Sequence, residues 1–70
     1  MSLADAYRFE WHEAITWLDR RREYGEDRTA GLGYVGNRLC FVAFVDRAHE
    51  RRIISLRKAN SREVKRYAQT

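Results

Sequence analysis

Cysteine is almost missing from this chain: Cys40 is the only one in 70 residues. An intrachain disulfide is therefore excluded, and so is a zinc site built on several thiolates. A lone thiol is compatible with a reducing compartment without establishing one. Proline is absent, and histidine is scarce, with His12 and His49 alone. No paired ligand spacing accompanies the histidines, so no metal is indicated. No apolar run approaches the ~20 residues of a membrane-spanning helix. The opening residues, MSLADAYRFEW, have neither the basic start nor the apolar stretch of a signal peptide. Internal repeats and low-complexity tracts are lacking too.

What remains is the composition of one folded domain, residues 1–70, with 44% hydrophobic and 34% charged residues, too apolar for a disordered chain. A chain this short buries only about 60% of its unfolded surface, so its margin is thin.

A further scarcity is local. From Arg51 to Thr70 there are seven basic residues and one acid, Glu63, a net +6. Residues 1–50 hold seven bases and nine acids, a net −2. The basicity is confined to the last 20 residues, and local basicity is what a polyanion detects.

The element pattern predicts a small α+β meander: four antiparallel strands with a helix at each end. Ser2 to Glu10 reads as a short helix and Glu10–Glu13 as its exit. Ala14–Leu18 is rich in β-branched and aromatic residues, as strands are. Asp19–Asp27 is a polar connection. Arg28–Val35 is a strand weakened by Gly31 and Gly33, and Gly36-Asn37 is a two-residue hairpin signal. The following Arg38–Val45 run is apolar on both faces, which places it in the sheet interior. Asp46–Glu50 is a turn. In Arg51–Arg57, strict alternation puts Arg51, Ile53, Ser55 and Arg57 on one face and Arg52, Ile54 and Leu56 on the other. After Lys58-Ala59-Asn60 a helix starts at Ser61, with Asn60 as cap and Glu63 reaching back in a capping box. Val64, Tyr67 and Ala68 give it an apolar side.

Three blocks carry a resemblance: Tyr24-Gly25-Glu26-Asp27-Arg28, preceded by Asp19-Arg20-Arg21; Gly33-Tyr34-Val35-Gly36-Asn37-Arg38-Leu39, leading to Asp46-Arg47; and Arg52-Ile53-Ile54-Ser55-Leu56-Arg57-Lys58-Ala59-Asn60 with Arg62-Glu63-Val64-Lys65-Arg66-Tyr67. In this order and spacing the chain resembles the BrnT toxins, the ribonuclease members of bacterial BrnT/BrnA toxin–antitoxin pairs. The resemblance implies a RelE-like fold, metal-independent RNA cleavage that inhibits translation, and a cytoplasmic location. It also implies a BrnA-like ribbon-helix-helix antitoxin as partner, with operator DNA reached only through that antitoxin. Family members begin with a further strand and helix ahead of the position of Ser2, which this sequence lacks. An unpaired sheet edge would follow, and a homo-oligomer, a two-fold dimer, is expected to cover it.

RNA cleavage requires a proton to leave the 2′-hydroxyl, the phosphate to be held in line, and the developing charge to be stabilised. Arginine suits the phosphate because its planar fork takes two oxygens and stays charged. Arg57 is the first candidate: it ends a strand between apolar neighbours, just before the last helix, and the resemblance places it in a Ser-x-Arg motif. Arg28 and Arg47 are the next candidates, with ion pairing to Glu26 or Asp27 as the alternative for Arg28 and a solvated turn charge for Arg47. Arg52, Lys58, Arg62 and Arg66 suit phosphate binding without chemistry; Arg62 and Arg66, four apart, share a helix face. The meander places Arg28 and Arg47 near each other and Arg57 toward the opposite end of the sheet. Trp11, Trp17 and Tyr34 could stack on bases or serve as core. The competing readings are a short toxin that binds its antitoxin without cleaving RNA, and a basic nucleic-acid-binding module unrelated to toxins.

Overall fold

The structure, a computed structural model, describes residues 3–19 and 28–70. Four strands form one antiparallel sheet in sequence order: β1 (Ile15–Asp19), β2 (Arg28–Val35), β3 (Arg38–Arg47) and β4 (Glu50–Lys58). One α-helix, α1 (Ser61–Ala68), follows. The expected four-stranded meander is present, with β3 in its interior. Most of the connection expected at Asp19–Asp27, residues 20–27, lies outside the described residues.

The chain start differs from the expected helix. Leu3–Arg8 forms a 3₁₀ helix, and a second 3₁₀ turn covers Trp11–Glu13 in what was expected to be a plain exit. Phe9 explains the early stop. It is buried, it bridges to Val35 of β2, and the next amide, Glu10 N–H, donates to the Tyr34 carbonyl at 2.8 Å. A continuing helix would carry the Phe9 ring off the sheet. The tighter 3₁₀ geometry ends the segment in a short piece instead.

The sheet receives that ring because β2 is stripped of side chains there. A Cβ built on Gly33 would lie 2.6 Å from Phe9 Cζ and 3.0 Å from the Ala14 Cβ. The glycine that weakens β2 as a strand thus makes room for the ring that covers it. Around Phe9 packs the main core: Val35, Cys40, Val42, Phe44 and Leu56, with Ala6, Trp11, Ala14 and Ile53 at its margin. Trp11 meets Phe9 and Phe44 edge-on at 4.5 and 5.1 Å. Cys40 is fully enclosed, and burial pushes its thiol up, so it serves as a small apolar side chain.

Strict alternation fails in β4. The register pairs Ala43 with Ser55 but Phe44 with Ile53, so Ile54 is an extra residue on the edge strand. This β-bulge turns Ile53 onto the core face with Leu56 and leaves Ile54 37% exposed. It also separates Arg51 from Arg57, which the sequence placed on one face. Arg51 lies on the core side over Trp11 and Phe44, while Arg57 lies on the other side over Phe41. The β3–β4 connection is shorter than expected, two residues, Ala48 and His49, with Ala48 at φ 51°.

The cap of α1 is as expected. Asn60 Oδ1 accepts from Glu63 N–H and Glu63 Oε1 accepts from Asn60 N–H, both at 2.9 Å. Its apolar side is not as expected: no helix residue is buried, and Val64 and Ala68 are exposed. Tyr67 does the docking instead, with its hydroxyl donating to the Glu13 carbonyl at 3.0 Å and its ring edge-on to Tyr34 at 5.5 Å.

Gly33→Ala should destabilise the fold by about 1–3 kcal/mol, because a buried ring must move to admit the methyl group. A urea midpoint for Gly33→Ala equal to the parent's would show that the Phe9 contact is not tight.

Candidate functional site

Between α1 and the sheet face opposite the main core lies a cleft of about 290 Å³. Its floor is Trp17 of β1, Ala30 of β2 and Phe41 of β3; these share a face because Trp17 pairs with Ala30, and Leu32, two residues on, with Phe41. Arg57 closes it from β4, and Arg62, Glu63 and Arg66 from the helix. Asp19 also lines it.

Two arginines lie on the aromatic floor. The Arg57 guanidinium carbon is 4.3 Å from the Phe41 ring centre, and that of Arg66 is 3.9 Å from the Trp17 ring. The two rings stand 6.3 Å apart at 57°. A guanidinium is planar and weakly hydrated, so it stacks on a ring where an ammonium would stay in water.

Arg57 is held in a second way. Nη1 and Nη2 donate to Glu63 Oε1 and Oε2, each at 2.8 Å, and Nη1 also reaches the Lys58 carbonyl at 3.3 Å. The Glu63 side chain is 15% exposed and that of Arg57 49%. The hydrogen bonds from Arg57, helped by the Asn60 amide, hold the Glu63 carboxyl below its usual range against the opposing effect of burial. The same pair raises Arg57. One carboxylate thus caps the helix and clamps the arginine of the preceding strand.

Of the residues that the sequence singles out, Arg57, Arg62 and Arg66 come together around this cleft. Arg28 and Arg47 do not join them. Arg28 starts β2 opposite Asp19 and two residues before Ala30 on the same face, so it borders the cleft without lining it, whereas Arg47 ends β3 toward the other end of the sheet. Arg47 is six positions from Phe41 along β3, or about 20 Å of strand. Arg52 shares the Arg57 face near that far end, opposite Val45. Lys58 follows Arg57 and, opposite Cys40, belongs to the core side. His12 and His49 are exposed and line no part of the cleft. Among the described residues no group of three or more His, Cys, Asp or Glu side chains is placed to hold a metal ion.

The sequence reading missed Glu63 as a site residue and Phe41 as floor. A signal for Glu63 was present. The third position of a capped helix points back toward the cap, hence toward the end of the strand before it. Phe41 was hidden in a run apolar on both faces.

On the core side, Arg51 bridges Asp46 through Nε and Nη2 at 2.7 and 2.9 Å and covers Trp11 and Phe44 at 4.5 and 4.3 Å. A shallow groove beside it is lined by Ala6, Tyr7, Trp11 and Ile53, with Tyr7 95% exposed.

The family model described as the ribonuclease toxin, BrnT, of type II toxin–antitoxin systems matches residues 1–63. No curated protein and no solved structure matches the chain.

The Glu63 clamp makes stability depend on acid. Folding holds this carboxyl below its unfolded value, so its contribution is complete above the unfolded pKa of roughly 4.3 and fades as pH falls through the lower folded value. Parent and Glu63→Gln should therefore differ in urea stability at neutral pH and converge in acid. A difference independent of pH would sever the clamp from stability.

Proposed function

The chain belongs to the BrnT family of type II toxin–antitoxin ribonuclease toxins, and from that premise we propose that it is a metal-independent endoribonuclease that cuts RNA in the cleft beneath α1. On this reading it inhibits translation in the cytoplasm, and its sheet and helix form a RelE-like scaffold. The observation that carries the reading is the Arg57 guanidinium, stacked on Phe41 at the edge of a cleft that Arg62 and Arg66 also line. Arg57 binds the scissile phosphate and stabilises the charge that grows on it; Arg62 and Arg66 hold neighbouring phosphates. Arg52 extends the basic surface along β4 on the cleft side, and Lys58, on the other side of the strand, reaches a phosphate only around the sheet edge. Arg28, beside the cleft opposite Asp19, and Arg47, farther along the sheet, make either a second phosphate contact or an ion-pair cluster.

Family membership implies an antitoxin. We read it as a BrnA-like ribbon-helix-helix protein that covers the basic strand–helix surface and so blocks RNA, with operator DNA bound through it. A homo-oligomer is part of the same reading, supported by β1 and β4 as open sheet edges among the described residues. A second reading, a toxin that binds its antitoxin without cleaving, is favoured by one observation: the end of the Arg57 fork is already taken by Glu63.

With purified protein and an RNA oligonucleotide, Arg57→Ala should lower cleavage about 10²–10³-fold. Arg62→Ala should weaken binding and reduce the salt slope by about 0.7 for a single strand. Arg28→Ala and Arg47→Ala should fall well short of Arg57→Ala. Full activity in Arg57→Ala removes the assignment, and a parent that cuts nothing favours the second reading.

Binding of the antitoxin should protect Arg57 and Arg62 from an arginine-selective label. Equal labelling in the free and bound protein would count against inhibition by cover.

A further inference from the structure

The cleavage scheme gives Glu63 no task, yet this carboxylate accepts three hydrogen bonds at the cleft. It accepts two from Arg57 and one from the Asn60 amide, and its own amide is capped by Asn60. A guanidinium offers five N–H donors in a fixed fork. Glu63 takes one from each terminal nitrogen, and the Lys58 carbonyl shares Nη1. The edge formed by Nε–H and the second Nη2–H remains, another pair of parallel donors. Phe41 covers one face of the plane. The ring and the carboxylate together leave the guanidinium one direction in which to present that edge.

We infer that Glu63 is a positioning residue: it fixes the Arg57 fork so that the Nε–Nη2 edge meets the phosphate, and it weakens RNA binding through its own charge. The inference rests on the reading of the cleft as a phosphate site. The two effects have opposite signs, and that separates them from a merely structural role. A negative charge among Arg57, Arg62 and Arg66 repels a polyanion. Without that charge the cleft attracts RNA more strongly, but the fork is free to meet a phosphate in unproductive orientations. Glu63 thus trades affinity for geometry.

The test is Glu63→Gln, because glutamine preserves the capping box and so the helix start. Affinity is measured with an oligonucleotide carrying 2′-O-methyl groups, which binds without being cut, and cleavage with the unmodified RNA. Binding should tighten about two- to five-fold at low ionic strength, with the gain shrinking as salt is added. The rate at saturating RNA should fall about ten-fold or more, as expected when a reacting group loses its orientation. In Arg57→Ala the added Glu63→Gln change should cause no further loss of rate. Weaker binding in Glu63→Gln, affinity and rate falling together, or an equal further loss in the double variant would each overturn the inference. A parent that binds RNA without cutting it leaves the affinity comparison to decide: tighter binding supports the inference and weaker binding overturns it. A parent that binds no RNA overturns the phosphate site itself, and this role with it.

Discussion

A chain of 70 residues must cover both faces of one sheet with very little material, and the rest of the structure follows from that constraint. The segment before β1 supplies Phe9 and Trp11 to one face; the eight-residue helix supplies no buried side chain to the other. Arginines lying on rings make up the difference. Arg51 covers Trp11 and Phe44, Arg57 covers Phe41, and Arg66 covers Trp17. Each shields apolar surface with a flat group that keeps its edges in water, so the cover remains soluble. Two of the three are also paired with a carboxylate, Asp46 or Glu63, that fixes their orientation.

The two sides of the sheet use this device differently. Arg51, three positions before the bulge residue Ile54, is tied to Asp46, and its stacking closes the main core. Arg57 and Arg66 cover single rings and wall an open cleft instead. The bulge accounts for the division. Without the extra residue at Ile54, Arg51 and Arg57 would point to one side. The core would then lose its cover or the cleft would lose its arginine. A single inserted residue on an edge strand therefore assigns one arginine to stability and another to the site.

Much of the sheet was legible because its signals are local. The bounds of β2, the Gly36-Asn37 turn and the Asn60–Glu63 cap depend on a few adjacent residues, and each was read correctly. The failures involve partners far along the chain. The first helix is 3₁₀ and stops where Phe9 meets Val35, 26 positions later. Ile54 is a bulge only in its register with β3. Val64 fits an apolar helical stripe yet is exposed, since Tyr67 reaches Glu13 and Tyr34 instead. In the candidate site, the grouping of Arg62 with Arg66 followed from helical spacing. The floor of Trp17 and Phe41 and the clamp by Glu63 required the sheet order. The distance of Arg47 from Arg57 was legible from antiparallel topology alone, but the place of Arg28 beside cleft-lining Asp19 required the register of β1 with β2.

The helix is held mainly by polar and stacking contacts: Tyr67 to Glu13, Arg66 on Trp17, and Glu63 with Arg57. Contacts of this kind are individually modest and partly open to water. A segment without buried apolar side chains sits at the low end of the local stability scale. Two of these three contacts, Arg66 on Trp17 and Glu63 with Arg57, are between residues that line the cleft, so docking of the helix and cleft formation are coupled. Whatever binds across the cleft and the helix stabilises the docked state by mass action. RNA held by Arg57, Arg62 and Arg66 would do this, and so would an antitoxin laid over the same surface. The two would compete for the cleft while each ordered the helix, so α1 should be more protected from exchange in either complex than in the free chain.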